Sequence, residues 1–156
     1  MIEINNFSGL TLDEKFLKKI GQTVLKGEGK EKYTFSIALI KEKEIRDLNK
    51  KYLKKDKPTD VLSFSLSECT SWVLDESKDS SRPSLSLRES LVGEVIICPQ
   101  VVKRNAEDFN IPFRKELAKV LIHGILHLLG YEHEKSDKKW KEMQKKENYY
   151  LSLCFS

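Results

Sequence analysis

All three histidines of this chain lie in one eleven-residue block that is typical of a helix followed by a tight turn. The block runs His123-Gly-Ile-Leu-His127-Leu-Leu-Gly130-Tyr-Glu-His133. His127 lies four positions after His123, so on a helix both rings share one face, with Cβ atoms about 5–6 Å apart. Gly130 can end the helix because glycine adopts left-handed backbone conformations with little strain. The spacing therefore predicts a metal site with His123, His127 and His133 as its ligands.

Three imidazoles without a fourth protein ligand describe an open metal site. Structural zinc sites usually close with four ligands and often contain cysteine, whereas catalytic sites keep a position for water or substrate. The simpler interpretation is a set of core histidines, since the same stretch is rich in leucine and isoleucine. Burying three imidazoles there is costly unless their ring nitrogens find strong partners, which favours metal binding. Nitrogen ligands suit zinc, nickel, cobalt and copper alike.

Length and composition indicate one domain. A chain of 156 residues is long enough for one sizeable core and too short for two comfortable ones. The formal net charge of +4 favours an acidic partner such as RNA only mildly, because 28 basic residues are mixed with 24 acidic ones. The three cysteines are widely spaced, so neither a disulfide framework nor a thiolate metal site is predicted. The N-terminal pattern is not typical of a signal peptide and no apolar run is long enough to span a membrane, so we expect a soluble cytoplasmic protein.

The pattern of the chain predicts an α/β fold, with about four strands in a mixed sheet and four or five helices. Strands are predicted at Met1–Phe7, Tyr33–Ile40, Val61–Leu66 and Leu91–Ile97. Helices are predicted from Thr11 to about Leu25, from Glu42 to Lys51, and after Pro99, Pro112 and Ser136. Thr11 and Glu14 form the pattern of a capping box, which predicts Thr11 as the N-cap.

Two of these helices have an amphipathic pattern. In the second helix, Ile45, Leu48 and Tyr52 are predicted to face inward. In the last helix, the same spacing predicts that Trp140, Met143 and Tyr150 lie on or near one buried side.

The character of the sequence changes between Ser67 and Ser90. This stretch contains eight serines, mixed charges and Pro83, with few apolar residues to bury. The pattern predicts a mobile insertion at residues 67–90, which is a surface loop, a flap over the active site or a docking loop.

The ligand spacing is that of the metzincin proteases, but one element is missing. Those enzymes place a glutamate directly after the first histidine as general base, and here that position is Gly124. A zinc-bound water can be held at such a site, but the usual peptidase base cannot come from this position. A zincin-like metallopeptidase is therefore an alternative that Gly124 weakens.

The histidine block is preceded by other motifs in a recognisable order. These are Leu48-Asn49, Lys55-Asp-Lys-Pro-Thr-Asp-Val-Leu-Ser-Phe64 and Gly93-Glu-Val-Ile-Ile-Cys98. Together the blocks resemble the YbeY family of bacterial endoribonucleases and rRNA maturation factors over most of the chain. The resemblance implies one metallohydrolase domain spanning residues 1–156, with one zinc ion and activity on single-stranded RNA in the bacterial cytoplasm. It also implies a role in 16S rRNA 3′-end maturation and ribosome quality control, with small-subunit rRNA and ribosomal or 30S subunit proteins as partners.

Carboxylates near the motifs are candidates for proton transfer. A divalent ion held by neutral histidines can lower the pKa of bound water toward about 7 and can neutralise charge developing on a phosphodiester. The predicted proton acceptors are Glu132, beside the last ligand, and Glu94 or Asp60 if the fold brings them close. A solvated or capping role is an open alternative for each, and Glu132 could instead orient a histidine ring. Attack by the RNA 2′-hydroxyl is an open alternative to hydrolysis.

The chain departs from the family pattern at a position that matters for phosphate binding. The family commonly has an arginine where this chain has Leu53. Lys54 and Lys55 supply positive charge and are predicted RNA-binding residues, but neither reproduces the planar fork of a guanidinium. The lost arginine motivates a third interpretation, a ribosome assembly factor with a mainly structural metal site. Glu94 and Glu132 stand where the family commonly has aspartate, which keeps the charge and lengthens the reach.

Two lysine clusters are candidates for steering RNA. The first comprises Lys50, Lys51, Lys54, Lys55 and Lys57, and the second comprises Lys138, Lys139, Lys141, Lys145 and Lys146. The first lies close in sequence to the family motif, whereas a solvated helix face is the simpler interpretation of the second.

Overall fold

A four-stranded mixed sheet forms the centre of the fold. The computed structural model of the protein describes residues 2–65, 91–131 and 137–155. The strands are β1 (Ile2–Asn6), β2 (Thr34–Leu39), β3 (Val61–Ser65) and β4 (Leu91–Ile97). Their order across the sheet is β1-β2-β4-β3, with β1, β2 and β4 parallel and β3 antiparallel to β4 at one edge. This topology confirms the predicted α/β fold with a mixed sheet.

Five helices accompany the sheet in the described part of the chain, as predicted. They are α1 (Glu14–Gly27), α2 (Glu42–Leu53), α3 (Pro99–Asp108), α4 (Phe113–Leu128) and α5 (Asp137–Cys154). The central helix is α4, which contacts α1, α3, α5, β3 and β4. Because it is surrounded, α4 is apolar on nearly all sides and leaves few positions for polar groups.

The core is divided by the sheet into two apolar clusters. The larger contains Val95 and Ile97 of β4 and packs against α1, α4 and α5. The smaller contains Ile96 of β4 together with Ile45 of α2. Successive strand residues point to opposite faces, so each position of β4 is assigned to the α4 side or to the α2 side.

The N-cap of the first helix lies two residues later in the chain than predicted. Asp13 is the N-cap, and its carboxylate accepts a hydrogen bond from the backbone N–H of Phe16 at 3.1 Å. The prediction of Thr11 was therefore wrong. A carboxylate accepts a stronger, charge-assisted bond at this position than a hydroxyl does, which favours Asp13 as the cap.

The inner side of α2 is only partly as predicted. Ile45 is fully buried, but Tyr52 is 39% exposed and Asn49 is 2% exposed. The Asn49 side chain donates to the backbone carbonyl of Lys57 at 2.9 Å, so it stabilises the turn that follows the helix. The buried side of α2 thus contains the amide of Asn49, which has a backbone partner, and not the aromatic ring of Tyr52 that the apolar pattern predicted.

The inner side of α5 shows a similar exchange. Met143 and Tyr150 are buried as predicted, whereas Trp140 is 47% exposed. Glu147 is buried with them, at 5% exposure. The spacing of Met143, Glu147 and Tyr150 is that of one helix face, so a carboxylate lies in the middle of the apolar side of α5.

The predicted insertion at 67–90, and Ser136 before the predicted last helix, lie outside the described ranges. No helix in the described ranges is long and apolar enough to cross a membrane.

Candidate metal centre

Two of the three predicted ligands lie side by side near the end of α4. The Nε2 atoms of His123 and His127 are 3.1 Å apart, and the ring planes are inclined at 77°. Half of that separation is shorter than a zinc–imidazole bond of about 2.0–2.1 Å, so both nitrogens can bind the same ion. The His123 side chain is 31% exposed, whereas the neighbouring Ile122 and Leu126 are fully buried. The pair therefore lies where a largely buried helix reaches solvent.

The chain turns immediately after these histidines. Gly130 has a φ of +102°, and its N–H donates to the carbonyl of His127 at 3.1 Å. The N–H of Tyr131 donates to the carbonyl of Leu126 at 3.0 Å, which closes the turn. The predicted helix end at Gly130 is thus confirmed.

The third predicted ligand, His133, lies outside the described residues, as does Glu132. Within the described ranges, no three histidine, cysteine or carboxylate side chains are arranged so that they could hold one metal ion. The three-histidine site stays a prediction, and the structure describes two of its three predicted ligands.

A buried carboxylate from α5 contacts the far side of the first histidine. Oε1 of Glu147 is hydrogen-bonded to Nδ1 of His123, and the Glu147 side chain is 6% exposed. Nδ1 of His123 therefore has a partner, while Nε2 faces His127. Glu147 was not among the residues predicted from the sequence, although its place on the apolar side of α5 was a signal that could have identified it.

A second carboxylate connects the turn after α4 to the rest of the fold. Glu28, at the C-terminal end of α1, accepts hydrogen bonds from the Tyr131 hydroxyl at 2.5 Å, from Lys146 Nζ at 3.1 Å and from the Tyr150 hydroxyl. Burial alone would raise the pKa of Glu28, but these three donors together lower it below the usual value. The turn that leads toward His133 is thereby held against both α1 and α5.

Gly124, beside the first histidine, lies directly against the sheet. A Cβ atom at this position would be 2.7 Å from Cγ1 of Val95 and 3.2 Å from the Ser63 hydroxyl oxygen. That hydroxyl donates to the Gly124 carbonyl at 2.9 Å. A glutamate here would point into the sheet and not toward a metal-bound water, so the metzincin arrangement of the base is blocked by packing.

Glu94 lies on the other side of the sheet from the histidines. Its carboxylate accepts a hydrogen bond from the Ser36 hydroxyl at 2.8 Å. On β4 it alternates with Val95, which contacts α4 at Gly124, so Glu94 points toward the α2 side. The structure therefore does not bring Glu94 to the histidine pair.

Asp60 directly precedes β3. Its backbone carbonyl accepts from the N–H of Cys98 at 3.0 Å, and its carboxylate accepts from the Thr59 hydroxyl at 3.3 Å. Burial raises the pKa of Glu116, and the nearby Asp60 carboxylate raises it further, against the effect of Lys119. Glu116 precedes the first histidine by seven residues, about 10 Å along the helix axis. Asp60 thus has Thr59 and Cys98 as hydrogen-bond partners, and it directly precedes Val61, whose Cγ2 would be 3.2 Å from a Cβ atom at Gly124.

The predicted RNA-binding lysines lie in the turn between α2 and β3. Lys54 ends α2 with a φ of +58°, and both Lys54 and Lys55 are exposed. Leu53, at the position of the family arginine, is 53% exposed. The turn leads into β3, the strand whose Ser63 hydroxyl is bonded to α4 at Gly124. A short strand therefore joins the lysines to the helix that carries the histidines.

Comparisons with known proteins agree on one family. A family model described as endoribonuclease YbeY matches residues 3–154. The chain is 38% identical over 143 residues to a protein from Thermotoga maritima named endoribonuclease YbeY, covering 92% of this chain and 81% of that protein. It is 35% identical over 133 residues to a protein of the same name from Persephonella marina, covering 85% and 78%.

A solved structure is also similar over the whole fold. It is the solution structure of TM1509 from Thermotoga maritima, with a TM-score of 0.62 and 34% sequence identity. The match covers 99% of this chain and 89% of the other.

Proposed function

Because this chain belongs to the YbeY family of endoribonucleases, we propose that it cleaves single-stranded RNA with one zinc ion bound by His123, His127 and His133. The observation that carries the proposal is the approach of the His123 and His127 Nε2 atoms to 3.1 Å on one side of α4. Bound zinc would supply Lewis acidity toward the phosphodiester and a bound water with a lowered pKa.

The chain's own residues then have distinct tasks. His123 and His127 hold the ion at the point where α4 reaches solvent, and the Gly130 turn directs the chain toward His133. Lys54 and Lys55 bind RNA phosphates from the turn before β3, as point charges without a guanidinium fork. The Glu132 carboxylate, next to His133 in sequence, is the preferred proton acceptor. Glu94 and Asp60 have structural partners instead, in Ser36 and Thr59.

The biological setting is proposed from the family resemblance. We propose that the substrate is small-subunit rRNA, that the reaction matures the 16S rRNA 3′ end and serves ribosome quality control, and that the enzyme meets ribosomal or 30S subunit proteins in the cytoplasm. The exposed first lysine cluster supports an RNA partner, because lysines that neutralise phosphates provide the sequence-independent part of RNA affinity.

The proposal is tested with purified protein and a labelled single-stranded RNA. Wild-type protein should cleave it, lose activity to a chelator and recover with zinc. His127→Ala should lower cleavage more than about 100-fold, because even the partners of metal ligands contribute about 10–100-fold. Cleavage that continues unchanged in the chelator would contradict the proposal. The product ends distinguish the two routes, since attack by the 2′-hydroxyl leaves a 2′,3′-cyclic phosphate.

A ribosome assembly factor with a structural metal site is a second candidate, supported by the missing guanidinium. Leu53 is half exposed, so an arginine fits there without displacing the core. If the nuclease proposal holds, Leu53→Arg should raise RNA cleavage, whereas Leu53→Met should not. Normal ribosome maturation in cells that carry His123→Ala would favour the assembly factor.

A further inference from the structure

Glu147 lies on a different helix from both histidines, yet its carboxylate is directed at one of them. Within the described ranges it is one of four buried polar or charged residues, at 5% exposure on α5. A buried carboxylate is costly unless it is hydrogen-bonded or paired. Its bond to Nδ1 of His123 is therefore the contact that makes its burial tolerable.

This contact decides which nitrogen of the imidazole carries the proton. A neutral imidazole has one N–H and one lone pair, and a carboxylate accepts hydrogen bonds. With Nδ1–H of His123 donating to Glu147, the lone pair is on Nε2, which is the atom that faces Nε2 of His127 at 3.1 Å. Metal-binding histidines are usually held in this way, and the carboxylate also makes the ligand more basic.

The neighbours of Glu147 on α5 fix its position. Lys146 precedes it and Tyr150 follows one turn later, and both donate to Glu28 at the end of α1. The backbone of α5 around Glu147 is thus anchored independently of the metal.

We propose that Glu147 is a positioning residue of the metal centre, which holds His123 in the Nδ1–H tautomer and directs Nε2 at the ion. The role rests on the proposed metal-dependent function, but the tautomer can be measured without any metal. The tautomer of His123 and the affinity for zinc can therefore be tested independently of each other.

The first measurement is the imidazole ¹⁵N chemical shifts of the metal-free protein. Wild type should show His123 with the proton on Nδ1, and Glu147→Ala should shift it toward the Nε2–H form. Glu147→Gln keeps an oxygen that can accept from Nδ1–H, so it should retain much of the wild-type tautomer. Glu142→Gln is the matched control, because Glu142 is an exposed carboxylate on the same helix. A wild-type His123 protonated on Nε2, or a tautomer unaffected by Glu147→Ala, would overturn the inference.

The second measurement is the zinc dissociation constant, obtained by competition with a chromophoric chelator. Glu147→Ala should weaken zinc binding about 10–100-fold, Glu147→Gln less, and Glu142→Gln less than about twofold. Equal affinities for wild type and Glu147→Ala would overturn the positioning role. Failure of wild type to bind zinc would contradict the proposed function. The ¹⁵N shifts would then still test whether Glu147 fixes the tautomer of His123.

Discussion

At the scale of single residues, three carboxylates with largely buried side chains differ in how well their charge is compensated. Glu28 and Glu147 have hydrogen-bond partners from other elements. Glu116 is 4% exposed, and its Oε2 is a buried side-chain atom without a partner in the described ranges. Its place in the first turn of α4 favours negative charge, but burial outweighs that effect, since the pKa of Glu116 is raised. The three residues should therefore respond differently to neutral substitutions.

Glu116→Met should stabilise the protein at pH 7 by about 1–2 kcal/mol, because an apolar side chain of similar size removes an incompletely compensated buried charge. The folded pKa lies above the unfolded one, so the penalty is present above the folded value and disappears as pH falls below the unfolded value. Urea unfolding at several pH values should show the gap closing in acid. Exposed Glu107→Met is the control, with a change within about 0.5 kcal/mol. A loss of stability in Glu116→Met at pH 7 would contradict this assignment.

Glu28→Gln should destabilise the protein at pH 7 by about 1–3 kcal/mol, since donors from Tyr131, Lys146 and Tyr150 lose a charged acceptor. The folded pKa of Glu28 is lowered, so its stabilisation is complete above the unfolded pKa and is lost as pH falls through the folded value. The difference between wild type and variant should shrink below about pH 4. The exposed Glu31→Gln serves as control, and a difference that grows in acid would refute the interpretation.

At the scale of elements, the packing of α4 on β3 and β4 determines which side chains of α4 can lie on the same side as the two histidines. Val95 is fully buried and β-branched, so it cannot move away from a new Cβ atom at Gly124. The helix can approach this closely only because the position is glycine. The absence of the peptidase base is thus a property of the helix–sheet contact.

Gly124→Ala should lower stability by about 1–2 kcal/mol, because the overpacking exceeds the gain of roughly 1 kcal/mol in helix propensity. Gly124→Glu restores the metzincin motif in sequence, yet it should fail to fold, because it forces a carboxylate into the sheet. Thermal melting and casein cleavage test both, with exposed Asn148→Glu on α5 as a control for the added charge. A folded Gly124→Glu variant that cleaves casein would revive the peptidase interpretation.

Sequence patterns predicted the elements better than their contacts. The histidine spacing, the Gly130 turn and the order of strands and helices are local or periodic features, and the fold confirms the turn and the α/β architecture. Glu147 and Glu28 were missed because their partners come from distant parts of the chain, such as Tyr150 for Glu28. Glu94 was a candidate proton acceptor only if the fold brought it close to the histidines, and strand alternation directs it to the other face of the sheet.

At the scale of the whole molecule, the order of the strands determines where the lysines that could bind RNA phosphates lie relative to the histidines. The first lysine cluster lies at the end of α2, and β3 carries the chain from there along the edge of the sheet against α4. The second cluster lies on α5. These two surfaces are separate in the chain, so their contributions to RNA binding can be measured separately.

Lys54→Ala combined with Lys55→Ala should raise the KM for single-stranded RNA and flatten its dependence on salt, because about two phosphate contacts are removed. The matched control is Lys138→Ala with Lys141→Ala, two exposed lysines of α5. The measurement is KM across a series of salt concentrations. Identical salt slopes for wild type and the Lys54/Lys55 variant would exclude these lysines as phosphate ligands.

The contact between Gly124 and Val95 also has an evolutionary consequence. The chain is one substitution away from the sequence of a zinc peptidase motif, but a side chain at position 124 would be directed at Val95 in the core. A smaller residue would first have to replace Val95, and this change alone would lower stability without adding an activity. The packing of the hydrophobic core at Gly124 therefore disfavours the evolution of a peptidase from this enzyme, because the intermediate variants would be less stable.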